Sequence, residues 1–226
     1  MNEPSAATIA PDQSLAELAT AWAGASRVFL RHGLDFCCQG KQTVADACRR
    51  KGLSTEQVLD ELRAELRPPG AGERVDDLAT PALITYILER FHAGHRAELP
   101  RLVQMAERVE HVHGDKPECP RGLAAHLRHI ARELDLHMQK EEQVLFPMIL
   151  GGTLGFVHGP IEVMRHEHDE HGRNLARLRE LAQDFVPPAA ACGTWRALFL
   201  GLQELESEVM QHIHLENHVL FTRLGG

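Results

Sequence analysis

Two stretches of ten residues decide the fold of this chain: HMQKEEQVLF, which begins at His137, and HIHLENHVLF, which begins at His212. Both contain a His, a Glu four residues later and a Leu-Phe pair at the end. Residues four apart lie on the same face of an α-helix. The repeated pattern therefore predicts two helices, each of which presents an imidazole and a carboxylate, Glu141 or Glu216, on one face.

The His and the Glu of each stretch continue an apolar stripe. Upstream of them, apolar residues recur at steps of four and three, which is typical of the buried face of a helix. These residues are Leu123, Leu127, Ile130 and Leu134 in the first stripe, and Leu198, Leu202, Leu205 and Val209 in the second. Burying an ionised Glu without a partner costs several kcal/mol or shifts its pKa strongly. Two such placements predict a compensating positive charge, which a metal ion would provide.

A further pair of histidines extends the repeat. A second His stands three positions after His92 and three positions after His168. In both cases a Leu follows four positions later. His92 also precedes His137 by nearly the same number of residues as His168 precedes His212. The C-terminal part is therefore interpreted as a duplicated helical hairpin. Folded as a bundle, it would bring one His from each helix to the same level of the core.

These patterns predict a metal centre. The predicted ligands are His92, His137, Glu141, His168, His212 and Glu216. Imidazole and carboxylate without thiolate favour iron, manganese or zinc over an iron–sulfur cluster. Two bridging carboxylates and two imidazoles per metal leave positions open for water, O₂ or NO, whereas a structural zinc site is closed. We expect two non-haem iron ions with oxo or carboxylate bridges, for which manganese or zinc could substitute.

Seven nearby residues have a less defined role. His95 and His171 lie close to the stripe, and the pattern leaves open whether they bind metal or stand behind the ligands. His166, His214 and His218 lie off the stripe and are expected to face solvent. Glu133 and Glu167 lie one residue away from a stripe position or a ligand. They are expected to be solvated charges, with a role at a rim or channel as the alternative.

The composition favours an all-α fold. Ala, Leu, Arg and Glu dominate, β-branched residues are sparse, and aromatic residues make up 5% of the 226 residues. Four long helical segments are predicted at residues 81–111, 121–146, 160–185 and 194–223, and they suggest an antiparallel four-helix bundle. Pro100 is expected to kink the first of them.

The clearest linker is the Pro-Pro-Gly-Ala-Gly run at residues 68–72. It predicts a small helical domain over residues 1–67, a linker over 68–79, and the four-helix bundle over 80–226. In the N-terminal domain, Ser14, Thr43 and Ser54 have the sequence pattern of helix N-caps.

Cys37 and Cys38 are adjacent in a predicted loop of the N-terminal domain. They could be small apolar residues, or a pair that transfers iron or undergoes redox chemistry. A disulfide between neighbouring cysteines would be strained and labile.

Charge and cysteine usage exclude several classes of protein. The formal net charge is −8, and the basic residues are interspersed with acidic ones, which disfavours nucleic acid as a partner. The 5 cysteines are scattered, as expected in a reducing compartment. The N-terminus lacks the pattern of a secretory signal and no long apolar run predicts a membrane span. We therefore expect a cytoplasmic protein that does not bind membranes.

Several stretches resemble known families. The C-terminal domain resembles the hemerythrin-like di-iron four-helix bundles, and the whole chain resembles the iron–sulfur cluster repair di-iron proteins, the repair of iron centres family. The resemblance rests on LDFCCQG at Leu34, RFHAGHRAELP at Arg90, HVHGDKPECPRGL at His111, HMQKEEQVLFPMI at His137, HEHDE at His166 and HIHLENHVLF at His212. The combination of a Cys-Cys domain with the duplicated pattern is specific. Gln39 departs from the family, which often has Gly after the cysteine pair.

The resemblance implies a stress-response protein that repairs iron–sulfur clusters after oxidative or nitrosative damage, by donating iron, by handling NO, or both. It implies the same ligand set and a contribution of Cys37 and Cys38 to repair. Apo or damaged iron–sulfur proteins would be partners of a monomer or homodimer, with NO or O₂ as small ligands. Whether the protein turns over, as an NO reductase would, or donates iron stoichiometrically stays open.

Two alternatives remain. A hemerythrin-type carrier or sensor of O₂ or NO, without turnover, would be expected to use five His, whereas four fall on matching stripe positions here. A helical scaffold stabilised by zinc would be colourless and redox-silent.

Overall fold

A computed structural model describes residues 9–22, 24–65 and 75–225, with the side chain of Leu154 left out. The predicted linker at residues 68–72 lies outside these residues. The described residues are helical, and they contain no strand beyond one isolated bridge between Ser14 and Thr43. The all-α prediction is therefore confirmed.

The chain divides into two compact units. The chain up to Leu83 forms the first unit together with Ile213–Gly225, and Ile84–His212 forms the second. Between residues 9 and 65, the part of the first unit that the structure describes forms four short α-helices: α1 (Leu15–Ala21), α2 (Ala25–Arg31), α3 (Val44–Lys51) and α4 (Thr55–Glu65). Side-chain oxygens of Ser14 and Thr43 cap α1 and α3 as predicted, and Glu17 completes a capping box with Ser14.

Four long helices follow within residues 75–225, as the sequence predicts. Helix α5 comprises Thr80–Ile87, Leu88–His92 and Ala93–His113; α6 comprises Leu123–Lys140, Glu141–Leu145 and Phe146–Leu150; α7 is His158–Leu181; α8 comprises Gly193–His214, Leu215–Leu220 and Phe221–Arg223. Helix α5 runs through Pro100 without a break. Helix α6 passes its predicted end because Pro147 stands in the first turn of a segment, where its missing N–H costs no helical hydrogen bond.

Three of these long helices contain a π-helical turn: Leu88–His92, Glu141–Leu145 and Leu215–Leu220. In each, the backbone N–H that follows the turn donates to a carbonyl five residues earlier, as from Phe146 to Glu141. Each turn contains one of the predicted metal ligands. Single π-helical turns inside α-helices often occur at functional sites. The spacing of the side chains does not predict these turns.

The apolar stripes form the core of the second unit. Leu127 and Leu202 are fully buried and Leu134 is 1% exposed. None of the helices among the described residues is long and apolar enough to cross a membrane.

Candidate metal centre

Four buried imidazoles meet in two pairs inside the second unit. His92 Nε2 lies 3.2 Å from His212 Nε2, and His168 Nε2 lies 3.1 Å from His137 Nε2. Each of the four side chains is at most 1% exposed. The stripes explain the placement, because each His continues the buried face of its helix. All four predicted His therefore come together as two pairs.

Glu141 lies between the two pairs. Its Oε2 is 3.4 Å from His92 Nε2, and its Oε1 is 3.5 Å from His137 Nε2. The side chain is fully buried. One ligand atom from each of His92, Glu141 and His212 lies within 4.8 Å of the others, and the same holds for His137, Glu141 and His168. This is the arrangement expected of a carboxylate that bridges two cations.

In two of the imidazoles, the nitrogen that faces away from the pair is bound to a carboxylate, which we call the outer carboxylate. His92 Nδ1 donates to Glu142 Oε1 at 2.7 Å, and His137 Nδ1 donates to Glu167 Oε2 at 2.9 Å. A carboxylate only accepts, so the proton of this hydrogen bond lies on Nδ1, and in the neutral form of each ring the Nε2 lone pair faces inward. Metal-binding histidines are usually oriented in this way. The residues present therefore fit a metal ion at each pair.

Each outer carboxylate is in turn held by a cation. Arg96 donates to both oxygens of Glu142, at 2.7 and 3.3 Å, and Lys140 forms an ion pair with Glu167. Burial opposes ionisation of Glu142, but hydrogen bonds from Arg96 and His92 outweigh it and lower the pKa of that carboxyl. The hydrogen bond from His137, supported by Lys140, lowers the pKa of Glu167 to about 2. Both groups are therefore carboxylates at neutral pH.

His95 and His171 flank the pairs. The His95 ring centroid is 5.4 Å from that of His212, and the His171 centroid is 5.0 Å from that of His137. Neither belongs to the groups whose ligand atoms converge among the described residues. Burial, followed by the neighbouring imidazoles, lowers the pKa of His171 to about 2. His171 is thus a neutral ring behind the His137 pair.

Comparison with known proteins agrees with this geometry. The hemerythrin HHE cation binding domain matches residues 83–224, and a domain of unknown function, DUF542, matches residues 11–66. The iron–sulfur cluster repair proteins YtfE of Yersinia pseudotuberculosis serotype O:1b (strain IP 31758) and Yersinia pestis (strain Pestoides F) are each 48% identical over 212 residues, which cover 94% of this chain and 96% of theirs. The chain belongs to the YtfE family of iron–sulfur cluster repair proteins. Within that family, it combines the DUF542 and hemerythrin-type domains.

The sixth predicted ligand of this YtfE family member, Glu216, lies four residues after His212 on the continuous helix α8. It is fully buried and belongs to the π-helical turn Leu215–Leu220. The next two residues bind the N-terminal part of the chain, since Asn217 Nδ2 and His218 Nε2 donate to the carbonyl of Cys37 at 3.2 and 2.9 Å. One helical turn therefore holds both a predicted ligand and the support of the cysteine loop.

The loop prediction for the cysteine pair is confirmed. Asp35 Oδ1 accepts hydrogen bonds from the backbone N–H groups of Cys37 and Cys38, at 3.2 and 2.8 Å, and shapes the loop. The two Sγ atoms are 3.6 Å apart, and none of the five cysteines, all of which the structure describes, forms a disulfide. Burial, followed by the hydrogen bond with Cys38, raises the pKa of the Cys37 thiol well above its usual value. Asp35, Cys37 and Cys38 offer ligand atoms within 4.8 Å of one another.

Three expectations about neighbouring residues were wrong. His218 is half-buried rather than solvent-facing, because its Nε2 donates to the Cys37 carbonyl. His214 is buried rather than solvent-facing, because its Nε2 bonds Thr20 Oγ1 at 3.1 Å within the first unit. Glu167 is bound to His137 rather than solvated. By contrast, His166 is exposed as expected. Glu142 was missed altogether, although a carboxylate next to a ligand in the sequence is a signal that could have drawn attention to it.

Proposed function

We propose that this YtfE family member binds two iron ions and uses them to repair iron–sulfur clusters damaged by oxidative or nitrosative stress. His92 and His212 would bind one ion, and His137 and His168 the other. Glu141 and Glu216 would bridge them. The observation that supports this best is the position of Glu141, which directs one oxygen to each imidazole pair.

The protein prepares the site for a cation before one binds. His92 and His137 keep their protons on Nδ1, so no proton has to leave these two Nε2 atoms when a metal arrives. Neutral nitrogen and anionic oxygen donors suit iron, and manganese or zinc could substitute. Iron bound there would supply redox chemistry and open positions for small molecules such as NO or O₂.

Release of iron would follow from the same groups. Protonating a ligating carboxylate or imidazole weakens metal binding. The bridging carboxylates are the groups whose protonation would loosen both ions at once. Supply of iron to a damaged cluster is therefore the proposed route of repair, with NO handling at the open positions as a second contribution.

Cys37 and Cys38 are the proposed iron-transfer or redox pair of the first unit. Their thiols are close enough to bind one ion together with Asp35. Because the Cys37 thiol is held in its protonated form, binding there would release a proton and would weaken as the pH falls. Such a pair could hold iron transiently rather than store it.

The proposed setting follows from the sequence. We place residues 1–67 in a cysteine domain and residues 80–226 in the metal-binding bundle, joined by residues 68–79. The partners would be apo or damaged iron–sulfur proteins in the cytoplasm. This protein would act on them as a monomer or a homodimer. No observation favours an O₂ carrier, and the relatives are named as repair proteins.

Transfer of iron to an apo-ferredoxin, with sulfide and dithiothreitol present, tests the proposal. The iron-loaded wild-type protein should restore the cluster spectrum. The Cys37→Ser, Cys38→Ser double variant should keep its metal but lose most of the transfer, while Cys48→Ser, a change at another buried thiol of the same unit, should behave as wild type. Transfer at the wild-type rate by the double variant would exclude the cysteine pair. Failure of the iron-loaded wild type would exclude iron donation.

A further inference from the structure

Away from the predicted metal ligands, the second unit brings an exposed thiol against a buried imidazole. Cys192 Sγ lies 3.2 Å from His113 Nε2. Cys192 is free and exposed, whereas His113 is 9% exposed. The two residues are 79 positions apart and follow no pattern in the sequence, so only the fold reveals the pair.

The ends of two helices set the electrostatics of this pair. His113 is the last residue of the segment Ala93–His113 of α5. Cys192 precedes α8, and its carbonyl accepts the first helical hydrogen bond from Arg196 N–H at 3.1 Å, which makes it the N-cap. A helix C-terminus favours a cation and a helix N-terminus favours an anion. Both helices therefore favour a proton on the imidazole and negative charge on the sulfur.

Two more side chains support the same arrangement. Arg196 donates to the carbonyls of Ala191 and Ala189, at 3.2 and 2.8 Å, and so keeps a guanidinium on the loop that leads to Cys192. The Trp195 ring centroid lies 5.2 Å from that of His113 and limits the freedom of the imidazole. Trp195 is fully buried, and its indole N–H has no hydrogen-bond partner among the described residues. This N–H is therefore a hydrogen-bond donor near the thiol and the imidazole that could bind a ligand.

We propose that Cys192 and His113 form a nucleophilic thiol site, separate from the metal centre, that exchanges with low-molecular-weight disulfides. Sγ attacks one sulfur of the disulfide, and the new S–S bond forms as the old one breaks. The leaving thiolate takes the proton that His113 received from Cys192. The products are a mixed disulfide on Cys192 and one free thiol, and no other oxidant is needed. Attack requires an accessible thiolate, and Cys192 is exposed.

The probe is 5,5′-dithiobis(2-nitrobenzoate), followed by glutathione disulfide, with the modified peptide identified by mass spectrometry. At neutral pH, modification of Cys192 in the wild-type chain should be at least about threefold faster than in His113→Gln, since a gain in thiolate outweighs the weaker nucleophilicity of each thiolate. His111→Gln, an exposed His two residues earlier on the same helix, is the matched control and should leave the rate unchanged. Equal rates in wild type and His113→Gln would overturn the proposal.

A second measurement does not depend on the folding of any variant. In the wild-type chain at neutral pH, Cys192 should react with the same disulfides faster than N-acetylcysteine amide does. A rate at Cys192 no higher than that of the small thiol would also overturn the proposal. Reaction with the nitrobenzoate reagent but none with glutathione disulfide would contradict the assigned substrate class.

Discussion

The two imidazole pairs of the candidate centre contain the same residue types, but different groups hold their imidazoles in place. On the His92 side the outer carboxylate is Glu142, which Arg96 holds through two N–H groups. On the His137 side it is Glu167, which Lys140 holds through one ammonium.

The helices that supply these anchors also differ. Glu142 directly follows Glu141 on α6, so the carboxylate that holds His92 and the proposed bridging carboxylate belong to one π-helical turn. Glu167 belongs to α7 and is independent of that turn. A duplicated sequence pattern therefore does not give two sites with the same surroundings, because different carboxylates and cations hold the imidazoles on the two sides. We therefore expect two metal ions to bind in two distinguishable steps.

The largest loss of metal binding should come from a change at Glu141, the residue that lies between the two imidazole pairs. Glu141→Leu removes the carboxylate oxygens between the pairs, and we expect fewer than about one metal ion per chain by elemental analysis.

Glu133→Leu, at a partly exposed carboxylate on the same helix, is the matched control and should keep its metal. We expect Glu216→Leu to lose metal as Glu141→Leu does. Metal retention at the wild-type level in either ligand variant would show that the ligand assignment is wrong.

Changes at the two outer carboxylates should distinguish metal binding at one imidazole pair from metal binding at the other. Glu142→Gln should weaken the step that involves His92, and Glu167→Gln the step that involves His137, each by about 10- to 100-fold in affinity. A titration with ferrous iron or zinc, followed by calorimetry, measures both steps. Glu170→Gln, an exposed change on α7, serves as the control. If both variants weakened the same step, the two halves would not be independent.

The acid sensitivity of the metal-free protein should depend on His171. Its pKa of about 2 in the folded chain lies below the ordinary value near 6.5, so the unfolded chain takes up a proton first as the pH falls. Its contribution to stability is therefore complete above about pH 6.5 and is lost at up to about 1.4 kcal/mol per pH unit below it.

We expect His171→Leu to flatten the dependence of urea unfolding on pH between about 6.5 and 4. His166→Leu, at an exposed His of the same helix, should leave that dependence as in the wild type. A wild-type slope in His171→Leu would show that other groups cause the acid sensitivity.

The smallest effects on metal affinity should come from changes at Arg96 and Lys140, the cations that bind the outer carboxylates. Arg96→Gln and Lys140→Gln remove partly exposed charges, and each should lower metal affinity by less than about fivefold at low salt. High salt should reduce the difference from wild type, because exposed charges are screened. An effect as large as that of the outer carboxylates, or one that salt does not change, would mean that these cations position the imidazoles more directly.

Much of the fold and the centre could be predicted because the ligands lie in helical stripes. The step from His137 to Glu141 is one helical turn, and burial of that turn follows from the leucines before it. The π-helical turns could not be predicted, since they change the backbone rather than the spacing of the side chains. The sequence could not show which imidazoles Glu142 and Glu167 bind, because these partners lie on other helices, and the same is true of the pairing of Cys192 with His113.

The central claim is that the paired imidazoles hold two iron ions. Elemental analysis with a near-ultraviolet and visible spectrum, on protein purified without chelators and before and after anaerobic addition of NO, tests it most directly. We predict about two iron ions per chain, an oxo-bridge band and a spectral change with NO. Stoichiometric zinc with no colour and no response to NO would contradict it.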